Sequence, residues 1–403
     1  MANQNFRGAK KAKNDEFYTQ FGDIEKEMNA YLEYDPDVFK GKTVLLPCDD
    51  PEWSNFTRYF AQNFDTLGLK KLISTSYAPN SKPKEIPYQS TLFEIDSPDF
   101  DETKTVSNGK IFTLSRDRTG DKVINVEDLE WDYLDGDGDF RSDEIKALRD
   151  EADIIITNPP FSLFRGFLAW IIEADKKFLI IGNLNAITYK EVYPLIKHNR
   201  VWLGNNYKVN GGAMFYEIPE AIANLEQVRE IRSDEKGNKV FITRVQGVRW
   251  FTNLDHGRRH EPLSLMTENE NTRFSRNKEI KGVGYRKYDN YDAIEVPRVN
   301  AIPRDYEGVM GVPISFLDKF SPEQFEILAI TKTWDDSSGL KTKIYPTQIQ
   351  VSESGKESEV GKLNDGGAIE VHETPSSTHY KVEGKMLIQV YARILIRHRR
   401  AER

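Results

Sequence analysis

At 403 residues the chain has room for about two domains and a sizeable core. Its single cysteine, Cys48, excludes an internal disulfide and any cysteine-clustered zinc site, and no apolar run nears the roughly 18 residues of a membrane span. The net charge of -8 seems to argue against nucleic acid, yet residues 80–152 alone hold 19 acidic against 10 basic residues, and the rest is balanced and locally basic.

The opening MANQNFRGAKKAKNDE has no apolar signal region, so a soluble, cytoplasmic protein with no membrane partner is expected. A helical pattern runs from Ile24 to about Tyr34. Lys42 to Leu46 then reads as a short buried strand, breaking into Pro47-Cys48-Asp49-Asp50-Pro51 before a helix near Trp53 to Phe64. Strand, turn and helix at the start of an α/β sheet form the arrangement that holds a nucleotide-like cofactor. This turn has no run of glycines and should not cradle a pyrophosphate. S-adenosylmethionine has no phosphate, and Asp49 or Asp50 would suit its ammonium, sulfonium or ribose. The competing reading makes Asp and Ser54 simple helix caps.

Lys70 to Ser76 is a second strand, and residues 79–125 suggest one or two surface hairpins. Asp135-Gly136-Asp137-Gly138-Asp139-Phe140-Arg141-Ser142 fails as a calcium loop, because Phe140 stands where glycine is needed and Lys146 where the closing glutamate is needed. A turn presenting Asp139 and Phe140 to a cofactor adenine competes with a plain acidic loop.

Asp153-Ile154-Ile155-Ile156-Thr157-Asn158-Pro159-Pro160-Phe161 is the most informative stretch. Three isoleucines suit a strand covered on both faces, and two prolines end its ladder in a stiff, extended tip. Such strand ends are where open α/β sheets bind ligands. An exocyclic ring amine is a poor nucleophile; the Asn158 side-chain oxygen and the Pro159 carbonyl could accept both amino hydrogens and favour the pyramidal nitrogen of the transition state. Phe161 could stack on the base, worth roughly 1–3 kcal/mol. The chemistry this stretch fits is methylation of an exocyclic amine on a planar ring, which requires no acid, base or metal. The bland alternative is a turn after a core strand.

A helix from Ser162 to Glu173, a strand from Lys177 to Gly182, a helix from Thr188 to His198 and a strand from Val201 to Leu203 follow. The alternation predicts an α/β fold with a doubly wound, mostly parallel sheet. From about residue 205 the pattern turns Gly-rich, aromatic and basic, which suits nucleic-acid contact and also ordinary irregular structure. Arg244, Arg249, Arg258, Arg259, Arg273 and Arg276 are the candidates for DNA contact. His256 and His260 lie in a cationic segment and read better as phosphate contacts or surface residues than as metal ligands. Residues 331–385 suggest flexible polar loops, and Lys385 to Ile396 a closing strand or strand pair.

Together these pieces resemble the EcoRI-type family of adenine-specific DNA methyltransferases. The resemblance is carried by Asp15 to Gln20, Cys48 to Pro51 with Ser54-Asn55-Phe56, Gly136 to Ser142, Thr157 to Phe164, Lys177 to Asn183 and Ile187 to Val192. It continues through Thr252 to Asp255, Tyr288 to Asp292, Gly308 to Leu317 and Pro322 to Leu328. It implies a Rossmann-like S-adenosylmethionine-dependent methyltransferase fold, and transfer of methyl to adenine N6 of a defined DNA sequence within a restriction-modification pair. In that pattern Asn158, Pro159, Pro160 and Phe161 are catalytic, Tyr18, Thr19, Cys48, Asp49 and Asp50 line the cofactor pocket, and Asp139 and Phe140 lie near its adenine. The chain departs from the usual methyltransferase in lacking a glycine-rich turn at 47–51 and an acid near Thr75, where ribose is commonly bound.

The expected organisation is a cofactor-binding catalytic domain at 1–204 and a target-recognition region at 205–403, acting on double-stranded DNA; a monomer suffices if a palindrome is methylated one strand at a time. The alternatives are a methyltransferase for RNA or a protein glutamine, and a DNA-binding module without the reaction.

Overall fold

The computed structural model describes residues 18–49, 54–78, 100–205, 213–218, 228–233, 239–335 and 339–399. These fall into two compact units, one drawn from 1–184 with 201–257, the other from 185–200 with 258–403.

The first unit opens with β1 (Tyr18–Thr19), α1 (Phe21–Tyr34), β2 (Thr43–Leu46), α2 (Asn55–Gln62), α3 (Phe64–Leu67) and β3 (Lys71–Ser76). It continues through α4 (Glu102–Ser107), β4 (Lys110–Leu114), β5 (Glu130–Tyr133), α5 (Asp143–Glu151), β6 (Ile154–Thr157), α6 (Phe164–Glu173) and β7 (Lys177–Asn183). After α7 (Tyr193–Lys197), part of the second unit, the chain returns as β8 (Trp202–Leu203), β9 (Ala213–Ile218), β10 (Val228–Ser233), β11 (Lys239–Gln246) and β12 (Val248–Thr252).

Eight of these strands form one sheet in the order β5-β4-β3-β2-β6-β7-β12-β8. The middle four, β3, β2, β6 and β7, pair in parallel, and only β4 and β12 run against the rest. Every residue of β2 (Thr-Val-Leu-Leu) and β6 (Ile-Ile-Ile-Thr) is buried, as strands covered on both faces require. From β2 the chain winds outward through β3, β4 and β5, then crosses back to β6 on the other side of β2. That reversal opens a crevice beyond the carboxyl ends of β2 and β6, where doubly wound sheets take ligands. The expected α/β architecture is therefore present. A smaller antiparallel sheet, β1-β9-β11-β10, completes the unit.

Several expected elements differ. The Thr188–His198 helix is shorter, a single α-turn at Tyr193–Lys197 after a 3-10 segment at Leu184–Thr188, because Pro194 suits the first turn of a helix but not its interior. Of the stretch expected as hairpins, 79–99 lies outside the described residues, while the rest supplies α4 and one arm of the β4–β5 pair. β12, from beyond residue 205, pairs with β7, so the eight-stranded sheet draws on chain assigned from sequence to target recognition.

The second unit holds α8 (Glu268–Phe274) and the strands β13 (Ile294–Glu295), β14 (Met310–Pro313) and β15 (Phe325–Ile330). It then adds β16 (Ile349–Val351), β17 (Glu357–Glu359), β18 (Gly367–Val371), β19 (His379–Val382), β20 (Lys385–Val390) and β21 (Arg393–His398). These make two sheets, β13-β14-β21-β15 and β17-β16-β19-β20-β18. Much of 331–385, expected as loops, is thus ordered strand. Its edge strand β17 is exposed at every residue, and its core is a sparse set that includes Tyr345, Leu363, Ala368, Tyr380, Val382 and Leu387, which explains the polar sequence. Fully buried Asn290 fastens this sheet: its amide donates to Gly366 O at 3.0 Å and its oxygen accepts from Ala368 N at 2.8 Å.

Candidate active site

The site is built where β2 and β6 end. Asp49, 6% exposed, accepts from Ser54 Oγ at 2.8 Å through one carboxylate oxygen and from Thr157 Oγ1 at 2.5 Å through the other. Its backbone is also held: Asp49 N donates to Thr75 O at 3.2 Å, and Ser74 Oγ donates to Asp49 O. With the Ser74 proton so committed, Thr57 is the donor in the 2.9 Å contact between the two hydroxyls. Ser54 in turn caps α2 by accepting from Phe56 N at 3.1 Å. Capping therefore accounts for Ser54, while Asp49 ties three parallel strands together at one tip.

Thr157 immediately precedes Asn158, so the bond to Asp49 fixes the root of the Asn-Pro-Pro-Phe tip. Asn158 is partly exposed, Pro159 buried, and Phe161 packs partly buried against the main core. The Pro160 carbonyl accepts from Leu163 N at 2.9 Å and that of Phe161 from Phe164 N at 3.4 Å, whereas among the described residues no amide takes up the Pro159 carbonyl. All peptide bonds here are trans. The tip runs straight into α6, whose first residue Phe164 lies over Gly182 of β7 so closely that any Cβ at 182 would collide with its ring.

The Asp135–Ser142 loop reaches the same sheet edge. Ala78 N donates to Asp137 O at 2.8 Å, and Gly138, with φ of +84°, passes so near the Ser76 carbonyl that only glycine fits. Asp139 accepts from the Arg141 backbone N and Nε, both at 2.8 Å, and from its Nη2; this pairing holds the carboxyl below the usual range. Phe140 is buried, edge-on to Phe167 and Trp170 of α6 with centroids 5.2 and 5.7 Å away, so it anchors the loop to the helix that follows the tip. Cys48 is half-buried, yet crowding by protein atoms, then the charge of Asp49, pushes its thiol above the ordinary pKa, with the Thr157 hydroxyl opposing and Asp139 adding to the rise.

Of the other residues assigned to the cofactor, Asp50 lies outside the described residues, and of Tyr18 only the backbone is described, paired with Glu217. Thr19 is buried, its carbonyl accepting from Asn55 Nδ2 at 2.9 Å. The Thr19 and Thr75 hydroxyls and the Gln20 amide nitrogen are buried without a hydrogen-bond partner among the described residues.

The basic residues divide sharply. Arg244 on β11 and Arg249 on β12 are partly exposed, and Arg249 Nη1 donates to Val248 O at 2.9 Å. Arg258 is partly exposed, but Arg259 is buried, donating to Asn199 Oδ1. Arg273 and Arg276 are exposed. His256 is buried, with Nε2 3.1 Å from Leu203 O, and His260 Nδ1 lies 2.8 Å from Glu323; neither belongs to a metal-binding group among the described residues.

Sequence reasoning missed Thr157, Ser74 and Thr57. Hydroxyls within buried strands, Thr157 at the end of β6 and Ser74 inside β3, were the available signal, since such groups must find partners once buried; Thr57, on α2, gave none.

A sequence model of the family described as adenine-specific methyltransferase EcoRI matches residues 5–399. The chain is 43% identical over 328 residues to the Type II methyltransferase M.EcoRI of Escherichia coli, spanning 81% of this chain and 89% of that one. It is 34% identical over 341 residues to the Type II methyltransferase M.MpnI of Mycoplasma pneumoniae, spanning 84% and 90%. A third relative, the Type II methyltransferase M.MgeORF184P of Mycoplasma genitalium, is 34% identical over 323 residues, spanning 80% and 85%. No solved structure matches the chain.

Proposed function

Because this chain belongs to the EcoRI-type family of adenine-specific methyltransferases, we propose that it transfers the methyl group of S-adenosylmethionine to adenine N6 within a short double-stranded DNA sequence, as the protective half of a restriction-modification pair. The observation that carries this reading is the Asn158–Phe161 tip at the strand-order reversal, rooted through Thr157 in Asp49.

The residues around that edge fit the methyl donor. A carboxylate at the tip of β2 suits its cationic end, and the buried hydroxyls of Thr19 and Thr75 supply polar atoms still lacking partners. Thr75, next to last in β3, stands where an acid is common, so the ribose contact would be to a hydroxyl. When bound, S-adenosylmethionine supplies a methyl already activated on sulfonium sulfur, so positioning does most of the catalysis. Tyr18, Thr19, Cys48, Asp49 and Asp50 would line its pocket. Asp139 would approach its adenine, and Phe140 would support that loop from behind.

Asn158 Oδ1 and the Pro159 carbonyl accept the two amino hydrogens of the target adenine, Pro160 keeps the tip extended, and Phe161 stacks on the base. The base reaches this tip by leaving the duplex, at a cost of a few kcal/mol that stacking and polar contacts offset. Arg244, Arg249, Arg258, Arg273 and Arg276 carry the phosphate and groove contacts; buried Arg259 supports the fold instead. In this reading residues up to about 204 are mainly catalytic and those beyond mainly recognise the target, although β12 serves the catalytic sheet. One protomer is enough if the two strands of a palindrome are modified in turn. Among the described residues no helix is long and apolar enough to cross a membrane.

The test is methyl transfer from labelled S-adenosylmethionine to unmethylated plasmid DNA, with nucleoside analysis and mapping. N6-methyladenine confined to one short sequence is expected. Cofactor binding without incorporation into DNA would redirect the search to RNA or protein glutamine, and absence of cofactor binding would leave a DNA-binding module.

A further inference from the structure

Residues 273–287 hold six cations, Arg273, Arg276, Lys278, Lys281, Arg286 and Lys287, against one acid, Glu279. All six are exposed. From this surface stands Phe274, the last residue of α8, at 68% exposure, with Val283 at 65%. Single exposed apolar residues are common, so exposure alone decides nothing. The mounting is the stronger observation.

α8 begins in a reciprocal cap: Glu270 N donates to Thr267 Oγ1 at 3.1 Å, and Thr267 N to Glu270 Oε2 at 2.7 Å. Its far end is pinned on both sides of the ring, by Asn271 at 0% and Ser275 at 6% exposure. Gly282 N donates to Thr272 O at 2.9 Å, folding the next turn back against the helix, and Gly282 and Gly284 sit at φ of +76° and +84° to make that turn. Phe274 is thus an apolar ring held by buried neighbours amid positive charge. Tyr391 is more exposed still, at 91%, but is flanked by Val390 and Ala392 in a strand connection.

A cationic rim matches phosphates, and an apolar ring at its centre matches an opened base step, the combination by which DNA-bending proteins unstack a duplex. We propose that Phe274 is a wedge that enters the base stack of the bound duplex while the surrounding arginines and lysines hold its phosphates. This rests on the reading of the chain as a duplex-DNA methyltransferase. By occupying an opened step the ring lowers the cost of exposing a base for reaction.

The test uses the full chain, a duplex carrying the mapped target, and the same duplex with the target adenine opposite an abasic site. Single-turnover methylation is measured for wild type, Phe274→Ala and Phe274→Trp, with energy transfer between dyes on the duplex ends reporting distortion. Phe274→Ala should methylate the paired duplex at least about tenfold more slowly, within the range one lost base–aromatic contact gives. It should lose the end-to-end change and recover most of its rate on the abasic duplex, while Phe274→Trp stays near wild type. Wild-type rates for Phe274→Ala on paired DNA, or equal losses on both duplexes, would overturn the wedge while leaving the methyltransferase reading intact. A shift in sedimentation of Phe274→Ala without a kinetic change would make the ring a contact between copies and also overturn it. If wild type methylates neither duplex, both readings fall together.

Discussion

The Thr157 hydroxyl donates to the Asp49 carboxylate at 2.5 Å, joining the last residue of β6 to the residue just beyond the β2 turn, 108 positions earlier. Thr157→Val keeps the β-branched shape but leaves a buried carboxylate short of one donor, which should cost about 1.5–3 kcal/mol of stability. Because the displaced residue is next to Asn158, kcat should fall by roughly tenfold or more while KM for DNA changes little. Thr157→Ser should restore kcat. Steady-state kinetics with urea unfolding checks both, and a purely structural role would lower stability without the split in kcat and KM.

Asn158→Ala should retain cofactor and DNA binding but lose turnover by at least about a hundredfold, since in the proposed mechanism its oxygen acts on the reacting nitrogen only as the transition state forms. Equilibrium binding and single-turnover rates on the same preparation separate the two effects. Near-normal turnover would remove Asn158 from the reaction.

Gly182→Ala drives a methyl group into the Phe164 ring at the base of α6. Overpacking of this kind typically costs about 1–3 kcal/mol. A lowered urea midpoint with unchanged m-value is expected, together with weaker activity, because the displaced ring starts the helix that leads from the catalytic tip.

Arg259 and Arg273 should respond oppositely. Arg259→Ala, which removes a buried side chain and its bond to the exposed Asn199, should lower thermal stability through lost packing. Arg273→Ala should leave stability within about 0.5 kcal/mol, weaken DNA binding and reduce the salt slope by about one unit. Salt titrations of DNA affinity alongside calorimetric unfolding distinguish the two.

The Cys48 thiol, raised by crowding and by Asp49, stays protonated in the folded protein through the ordinary thiol range. A thiol ionises more readily in the unfolded chain, so its contribution is complete below the unfolded pKa, about 8.5, and declines as pH rises beyond it. Native protein should therefore react slowly with iodoacetamide at pH 8 and rapidly once unfolded, and Cys48→Ala should flatten the loss of stability between pH 8.5 and 10. Rapid alkylation of native protein would contradict this environment.

Much of the catalytic sheet was legible because its signals are local. Three isoleucines followed by two prolines define both a buried strand and its abrupt end, and Thr43–Leu46 and Lys71–Ser76 read as strands for similar reasons. The bonds that make the site one object were not legible: Thr157 to Asp49 and Ser74 to Asp49 span 108 and 25 positions, and side-chain hydroxyls give no periodic pattern. The reversed direction of β12 was hidden too, since pairing with β7 depends on a return from beyond residue 205. In 331–385 apolar residues are too thinly spaced to mark a sheet whose edge strand is wholly exposed. The arginines between 244 and 276 looked alike in sequence, and only burial separates Arg259 from Arg273.

β21 lies between β14 and β15, so the strand spanning Arg393–His398 is interior to its sheet although it is made last of the three. Both partners must wait, with their inner edges open, until residue 398 has left the ribosome. A nascent chain stopped a few residues short would carry the whole catalytic tip yet expose two unpaired strand edges, an invitation to aggregation. A gene interrupted before Arg393 should therefore yield a product prone to aggregate, although its Asn158–Phe161 segment is complete.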